Sequence, residues 1–190
     1  IKILMNIEAD VCFNALHGSS GENGSIQGLL NLLKLPYTHS GVTASAIAMN
    51  KIHFKRLIIN ATENSSDPIN FPKTLKILPD TSIDLNDHDG AFVIKPTNGG
   101  SSVGVQIIRE GNQGQIINST NFNNLMAEEY VGSKELTVTV LQEKPLCVTE
   151  IKAAHDKDFY NYKAKYEMNG SIHDIPAKIP KNTYNQAMSW

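Results

Sequence analysis

Apolar residues in the first part of the chain recur at helical spacing. They lie on one face from Ile26 to Leu33, and Pro36 just beyond them marks the end of a predicted helix. Before it, residues 10–16 form an apolar run typical of a short buried strand, and residues 17–24 form a loop with three glycines. A strand, a glycine loop and a helix in this order predict an α/β fold at the start of the chain.

A second helical pattern follows this first one. It places apolar residues from Val42 to Leu57 on one face, with Lys51 on or beside the helix. Residues 60–90 are polar and contain three prolines. Irregular chain is therefore predicted there, with one short strand at residues 76–78.

Strand patterns prevail in the second half of the chain, at residues 91–95, 103–108, 125–131, 135–141 and 146–151. A glycine–serine turn joins the first two, which predicts a β-hairpin. The fourth alternates apolar and polar side chains, and a turn at residues 142–144 returns the chain through the fifth. The last residues, 183–190, have the pattern of the first turns of a helix.

Composition and charge restrict the classes of function. The chain has 190 residues, a formal net charge of −2 and 41% hydrophobic residues, and its mean hydropathy is −0.25. No basic stripe indicates a nucleic-acid partner, and no apolar run reaches the roughly 18 residues of a membrane span. Cys12 and Cys147 have no C-x-x-C companion, so neither a disulfide framework nor a zinc ribbon is predicted. These features favour a soluble, cytoplasmic protein without nucleic-acid or membrane partners.

The loop that follows residues 91–95 has the elements of a phosphate-binding cover. Small residues from Gly99 to Gly104 allow backbone N–H groups to approach an anion, Ser101 and Ser102 supply hydroxyls, and Lys95 supplies a charge. The segment has neither the G-K-[ST] ending of a P-loop nor the G-x-G-x-x-G dinucleotide fingerprint. An ordinary flexible hairpin turn is the alternative that this segment alone leaves open.

Three carboxylates, Glu128, Glu129 and Glu135, lie within eight residues after an apolar run. One such carboxylate can accept a hydrogen bond from an exocyclic amine, and a second can accept from a pair of ribose hydroxyls. Taken by itself, however, the segment is explained more simply by a solvated acidic turn.

Two further segments have both a functional and a plain interpretation. The aromatic and lysine-rich residues 159–166 could close over an anionic intermediate, or they could form an aromatic surface loop. His17 beside Gly18 is a candidate ligand contact, although a lone histidine often has only a structural role. The sequence contains no helical pair of histidines for a metal and no G-x-S-x-G nucleophile elbow, so hydrolase chemistry is not indicated.

Read together, these segments resemble the D-alanine–D-alanine ligases, a family of ATP-grasp carboxylate–amine ligases. The His-Gly to Gln-Gly block and the Lys-Pro to Ser-Ser-Val-Gly block are specific in combination. The stretches that match in order and spacing are residues 15–18, 21–28, 35–38, 40–42, 44–46, 49–51, 93–96, 100–104, 135–138, 159–160 and 164–166.

The resemblance implies a fold and a reaction. The fold is an α/β ATP-grasp fold with a partial doubly wound domain at residues 1–40, a small α+β lid domain at 41–128 and an incomplete antiparallel domain at 129–190. The reaction transfers the γ-phosphoryl group of ATP to the carboxylate of one D-alanine, and the amine of a second D-alanine then attacks the acyl phosphate. The dipeptide feeds peptidoglycan synthesis. Members of this family are commonly homodimers, and the same assembly is expected here.

The resemblance also implies which residues bind ATP. Lys51 and Lys95 would contact the phosphates. The backbone N–H groups that would cover them belong to Gly100, Ser102, Val103 and Gly104. The residues that would bind adenosine are Glu128 for the adenine amine, the backbone of Glu129, Tyr130 and Val131 for the adenine edge, and Glu135 for the ribose.

The resemblance assigns four residues to the reaction itself. Ser101 and Tyr166 would belong to a hydrogen-bonded cluster that orients the first D-alanine. Lys165 would reach the phosphoryl group during transfer, and His17 would line the D-alanine pocket.

Two parts of the family's pattern are missing from the sequence. The opening strand, with the glutamate that binds the first substrate's amino group, is expected before Ile1. The residues that hold two Mg²⁺ (or Mn²⁺) ions are expected beyond Trp190, so no metal ligand is assigned within the chain. The 190 residues are therefore expected to be the middle of a ligase and inactive by themselves.

Two alternatives stay open from the sequence. The ATP-binding residues are more general than the substrate-binding residues, so a ligase for another carboxylate–amine pair is the first alternative. The second is a non-catalytic module that binds ATP.

Overall fold

The computed structural model describes residues 8–77, 83–84, 90–109, 124–132, 134–153 and 170–190, with only the backbone at 83–84. The chain divides into two compact units, Ile1–Tyr130 and Val131–Trp190. The division into three domains at residues 40 and 128 stays a prediction.

Four described helices precede the first sheet: α1 (Ser19–Glu22), α2 (Ser25–Leu32), α3 (Val42–Met49) and α4 (Lys51–Thr62). Helix α2 is the predicted first helix, and its buried residues are Gln27 and Leu30. Gly24 precedes it with φ 95°, a left-handed conformation that favours glycine. A Cβ atom at Gly24 would also lie only 2.8 Å from the carbonyl oxygen of Val42. Helix α1 lies inside the stretch predicted to be a loop, so that part of the prediction is wrong.

The second helical pattern forms two helices, α3 and α4, instead of the predicted single helix. The break lies at Asn50, whose backbone is extended with φ −93° and ψ 104°. Its side-chain oxygen accepts from the backbone N–H of His53 at 3.0 Å and so caps α4. Its side-chain amide donates to Asn98 at 2.9 Å, and the N–H of Lys51 donates to the carbonyl of Thr97 at 2.9 Å. The break therefore ties the start of α4 to the loop after residue 96.

The predicted buried strand at residues 10–16 is wrong. Cys12 makes only an isolated parallel bridge with Tyr37, with its N–H donating to the carbonyl of Pro36 at 2.7 Å. The side chain of Phe13 is 80% exposed, and Cys12 itself is only half-buried. Among the described residues no strand runs beside this segment, so its apolar side chains stay at the surface.

The first unit contains a five-stranded sheet of β1 (Thr74–Ile77), β2 (Ile83–Asp84), β3 (Phe92–Pro96), β4 (Gln106–Ile108) and β5 (Leu125–Glu129). The strand order is β2-β1-β5-β3-β4, and all neighbours are antiparallel. The predicted hairpin of β3 and β4 is confirmed, although β4 begins at Gln106 because residues 101–104 belong to the turn. Strand β5 lies in the middle of the sheet.

One face of this sheet carries the hydrophobic core. Its buried members are Leu75, Phe92, Ile94 and Ala127, with partly buried apolar side chains around them. Because successive side chains of a strand point to opposite faces, Lys95 on β3 and Glu128 on β5 lie on the other face. The polar face is the one that carries candidate binding residues.

The second unit contains β6 (Glu135–Leu141), β7 (Lys144–Ala153) and β8 (Ser171–Asp174) in the order β6-β7-β8, followed by helix α5 (Lys181–Ser189). All neighbours are antiparallel. The predicted turn is confirmed, since Gln142 and Glu143 both have positive φ, as a tight two-residue hairpin requires. The predicted last helix is confirmed and begins at Lys181. None of the described helices has the length and apolarity needed to cross a membrane.

Candidate nucleotide-binding site

An ion pair between neighbouring strands forms the centre of the candidate site. The register of β3 and β5 pairs Val93 with Glu128 and Lys95 with Met126. Lys95 and Glu128 are therefore diagonal neighbours on the polar face, within reach of each other's long side chains. Lys95 Nζ lies 2.5 Å from Glu128 Oε2.

A second lysine reaches the site from the first residue of α4. Lys51 is half-buried, and its Nζ donates to the carbonyl of Gly99 at 2.8 Å. Burial lowers the pKa of Lys51, the positive charge of Lys95 lowers it further, and the charge of Glu128 offsets part of this effect. Two ammonium groups that repel each other in a half-buried place favour an anion beside them.

Glu128 is a buried carboxylate with two lysine partners. Its side chain is only 5% exposed, and besides Lys95 it contacts Lys55, whose Nζ lies 2.9 Å from Oε1. Burial by itself raises the pKa of Glu128, but the hydrogen bonds and charges of the two lysines outweigh burial and hold the pKa below its ordinary value. The simpler interpretation as a solvated acidic turn is therefore wrong for Glu128, because β5 is a central strand.

The glycine–serine loop lies directly after β3. Gly99 has φ 103°, and Ser101 and Ser102 have φ 54° and 58°, a left-handed region that is uncommon for residues other than glycine. The N–H of Val103 donates to the carbonyl of Gly100 at 3.2 Å. Strained backbone of this kind is concentrated at ligand sites, and consecutive left-handed residues can turn backbone N–H groups toward one anion.

Hydrogen bonds to the backbone of Lys73 and Ala91 hold the strand end next to Glu128. The N–H of Glu129 donates to the carbonyl of Lys73 at 3.0 Å, and the N–H of Tyr130 donates to the carbonyl of Ala91 at 2.9 Å. The Glu129 carboxylate accepts from the N–H of Lys73 at 2.9 Å. Both backbone N–H groups are therefore bonded within the sheet.

Four other predicted site residues belong to the second unit or lie outside the described residues. Val131 and Glu135 belong to the second unit, where Glu135 is the exposed first residue of β6. Lys165 and Tyr166 lie outside the described residues.

His17 lines a separate pocket of about 580 Å³ in the first unit. Gln27, with 1% of its surface exposed, lies at the same pocket and donates from its side-chain amide to the carbonyl of Gly21 at 3.1 Å. Glu22 also lines it and accepts from the N–H of Gly18 at 2.6 Å. The pocket thus lies between the α1 and α2 segment and helices α3 and α4, and the two latter helices contribute mainly apolar side chains such as Ile47, Phe54 and Leu57.

Lys55 is a site residue that the sequence interpretation missed. It lies four residues after Lys51 on α4, so both lysines lie on the same helical face. That spacing is the signal that was present in the sequence. The acceptors that hold Lys55, by contrast, come from distant positions of the chain.

No cluster of three or more His, Cys, Asp or Glu side chains is found among the described residues.

Comparisons with known proteins agree with the resemblance in the sequence. A family model for the D-ala D-ala ligase C-terminus matches residues 90–190, and one for the D-ala D-ala ligase N-terminus matches residues 3–40. The chain belongs to the D-alanine–D-alanine ligase family. Its α/β fold is accordingly the ATP-grasp fold of these ligases.

Individual ligases support the same assignment. The chain is 42% identical to a D-alanine–D-alanine ligase of Zymomonas mobilis, over 98% of this chain and 58% of that relative. The crystal structure of a Bacillus anthracis D-alanine–D-alanine ligase matches with a TM-score of 0.72 and 26% identity, over 98% of this chain and 62% of the other. The VanG D-Ala:D-Ser ligase of Enterococcus faecalis shares the fold, with a TM-score of 0.70 and 24% identity over 96% and 54% of the two chains. The chain thus spans about 58% of the length of a curated ligase that it matches.

Proposed function

We propose that the protein containing this chain is an ATP-dependent ligase that joins two D-alanine molecules through a D-alanyl phosphate intermediate, for peptidoglycan synthesis. The observation that carries the proposal is the convergence of Lys51, Lys95 and Glu128 beside the loop at residues 99–104. This convergence lies in a chain 42% identical to a D-alanine–D-alanine ligase.

Lys51, Lys95 and the loop suit the phosphate end of ATP. Phosphoryl transfer needs positive charges and N–H donors that are already oriented toward the phosphoryl oxygens. Lys51 and Lys95 supply the charges, and Gly100, Ser102, Val103 and Gly104 belong to the loop that would supply the donors. A bound triphosphate would also relieve the repulsion between the two ammonium groups.

Glu128 suits the adenine end. An ionised carboxylate only accepts hydrogen bonds, so it selects a base that presents an amine. The lowered pKa keeps Glu128 ionised at neutral pH. As the family resemblance implies, the backbone of Glu129, Tyr130 and Val131 is proposed to meet the adenine edge, and Glu135 is proposed to hold the ribose.

The substrate and catalytic roles come from the family resemblance. His17 is proposed to line the D-alanine pocket, and Ser101 to join Tyr166 in the cluster that orients the first D-alanine. Lys165 is proposed to contact the transferred phosphoryl group. Mg²⁺ or Mn²⁺, when bound, would neutralise charge on the β- and γ-phosphates, and no ligand for it is assigned among the described residues. A cytoplasmic homodimer is the proposed form of the protein.

The choice of D-alanine rests on the named relatives. The fold also occurs in the D-Ala:D-Ser ligase of E. faecalis, so the fold does not select the second substrate. The relatives that are about 40% identical are named D-alanine–D-alanine ligases.

ADP release by the whole protein, measured with D-alanine, D-serine, L-alanine or glycine, tests the proposal. We expect ADP release that depends on D-alanine, together with the dipeptide D-Ala-D-Ala as product. ADP release that is greater with another amino acid would move the protein to a different substrate class, and ATP binding without any amino-acid-dependent release would favour the non-catalytic alternative.

A further inference from the structure

Lys55 is the most firmly held charged group at the candidate site. Its Nζ donates to the carbonyl of Pro72 at 2.5 Å, to the hydroxyl of Thr74 at 2.7 Å and to Glu128 at 2.9 Å. An ammonium group has three donors, so these three acceptors satisfy it completely. The ring centroid of Phe71 lies 5.9 Å from the same Nζ. Lys55 is thus fixed in place and has no donor left for a ligand.

Lys95 differs from Lys55 in two respects. Its side chain is 25% exposed, against 14% for Lys55, and it lies at the end of β3 next to the glycine–serine loop. Its charge is therefore the more accessible of the two to an anion. Glu128 holds one lysine at each of its two oxygens, and these two lysines are unequal in their freedom to move.

We propose that Lys55 is a positioning residue, a permanent counter-ion that holds Glu128 in place for the adenine amine. When the nucleotide binds, Lys95 leaves Glu128 and contacts the phosphates, whereas Lys55 stays bound to Glu128. The inference rests on the proposed function, because it takes Glu128 and Lys95 as ATP contacts.

The exchange follows from the cost of buried charge. Glu128 is buried, so a carboxylate that lost its only counter-ion would be strongly destabilised. If Lys95 alone balanced Glu128, nucleotide binding would have to pull that pair apart. With Lys55 bound to Oε1, Glu128 keeps one partner after Lys95 leaves Oε2, and its carboxylate keeps its orientation. Since Lys55 is anchored by Pro72 and Thr74, that orientation is set by the protein before ATP arrives.

The test compares ATP with purine riboside triphosphate, which lacks the 6-amino group and is otherwise the same. Dissociation constants for both nucleotides are measured on the whole protein by titration calorimetry. The variants are Lys55→Met, Lys55→Arg and, as a matched control, Arg56→Met, which removes an exposed cation from the next position of α4. For a hydrogen bond to a charged acceptor, wild type should prefer ATP by about tenfold or more.

If Lys55 positions Glu128, Lys55→Met should reduce this preference to less than about twofold. Lys55→Arg should retain most of the preference, and Arg56→Met all of it. A Lys55→Met protein that binds both nucleotides more weakly by the same factor, with the preference intact, would show a merely structural role and overturn the inference. Wild type that binds the two nucleotides equally would overturn the role of Glu128 and this inference together. Wild type that binds neither would refute the proposed function itself.

Lys55→Met is checked for folding by circular dichroism before binding is measured. If it does not fold, Thr74→Val decides instead, because it removes one anchor of Lys55 and leaves both charges of the pair with Glu128 in place. A preference for ATP that falls by about twofold or more would support the inference. An unchanged preference would overturn it.

Discussion

Replacing Glu128 with glutamine removes the negative charge that balances two lysines on the polar face of the first sheet. The side chain keeps its size, so the change is electrostatic. In the wild-type structure the side chains of Glu128, Lys55 and Lys95 are 5%, 14% and 25% exposed, and both lysines contact the carboxylate directly. Lys51 lies close enough to Lys95 for their charges to interact. The Glu128→Gln protein would thus place several ammonium groups together without compensation.

The magnitude follows from the burial of the partners. Removing one member of a buried ion pair costs about 3–5 kcal/mol. The exposure of Lys95 allows solvent to screen part of its charge, so we expect about 2–3 kcal/mol of lost stability. With a urea m value of about 1–3 kcal/mol per M, this loss lowers the unfolding midpoint of the first unit by about 1 M or more. The matched control is Glu63→Gln at an exposed carboxylate, which should stay within about 0.5 kcal/mol of wild type.

The pH dependence of this difference is a further check. The folded pKa of Glu128 lies below its ordinary value, so its stabilisation is present above the unfolded value of about 4.3 and is lost as pH falls through the folded pKa. Urea unfolding at pH 7 should separate wild type from Glu128→Gln, and the gap should narrow below about pH 4. Equal midpoints at pH 7, or a gap that does not change at acid pH, would refute the electrostatic account.

Three smaller predictions concern the residues around the ion pair. Gly99→Ala should lower the free energy of unfolding in urea by more than about 1 kcal/mol, because Gly99 has φ 103°. Gly100→Ala, which also has open space around its Cβ position, should change it by almost nothing. Equal effects of the two substitutions would contradict the role of the positive φ. Asn50→Ala should lower the free energy of unfolding by about 1 kcal/mol because it removes the cap on α4, and Asn50→Ser should keep most of that stability. An unchanged unfolding midpoint for Asn50→Ala would show that this cap does not stabilise the protein. A triphosphate would raise the lowered pKa of Lys51, so ATP binding should take up more protons at about pH 9 than at pH 7. Calorimetry in buffers of different ionisation enthalpy measures this uptake. If Lys51→Met leaves the uptake unchanged, the proton binds to another group.

The sequence could predict the elements of the site because each has a local signature. The strand that carries Lys95 has an apolar run, its loop has successive small residues, and the helix after the turn has a 3.6-residue period. Two of the predictions that failed did so for reasons that the local sequence pattern does not contain. Asn50 divides the second helix because its side chain caps α4 and bonds to Asn98, a residue 48 positions away. The run around Cys12 looks like a buried strand, but its burial depends on neighbouring strands and not on its own composition.

The assembly of the site could not be predicted from the sequence. Lys95 and Glu128 are 33 positions apart, and their contact depends on the register of β3 against β5. A shift of one residue in that register would place the side chains of one strand on the opposite face of the sheet. Lys55 has a clear helical position, yet its role depends on acceptors at Pro72, Thr74 and Glu128 that tertiary structure alone brings together. The family resemblance implies roles for Lys95 and Glu128, whereas Lys55 as a second counter-ion of Glu128 is seen only in the structure.

We propose that Lys51, Lys95 and Glu128 form the ATP site of the whole protein. The most direct measurement is equilibrium binding of ATP to the whole protein, compared among wild type, Lys51→Met, Lys95→Met and the control Lys144→Met at an exposed position of β7. We expect saturable binding that each of the first two substitutions weakens by about tenfold or more, and that Lys144→Met leaves unchanged. ATP binding that survives Lys51→Met and Lys95→Met at full strength would contradict it.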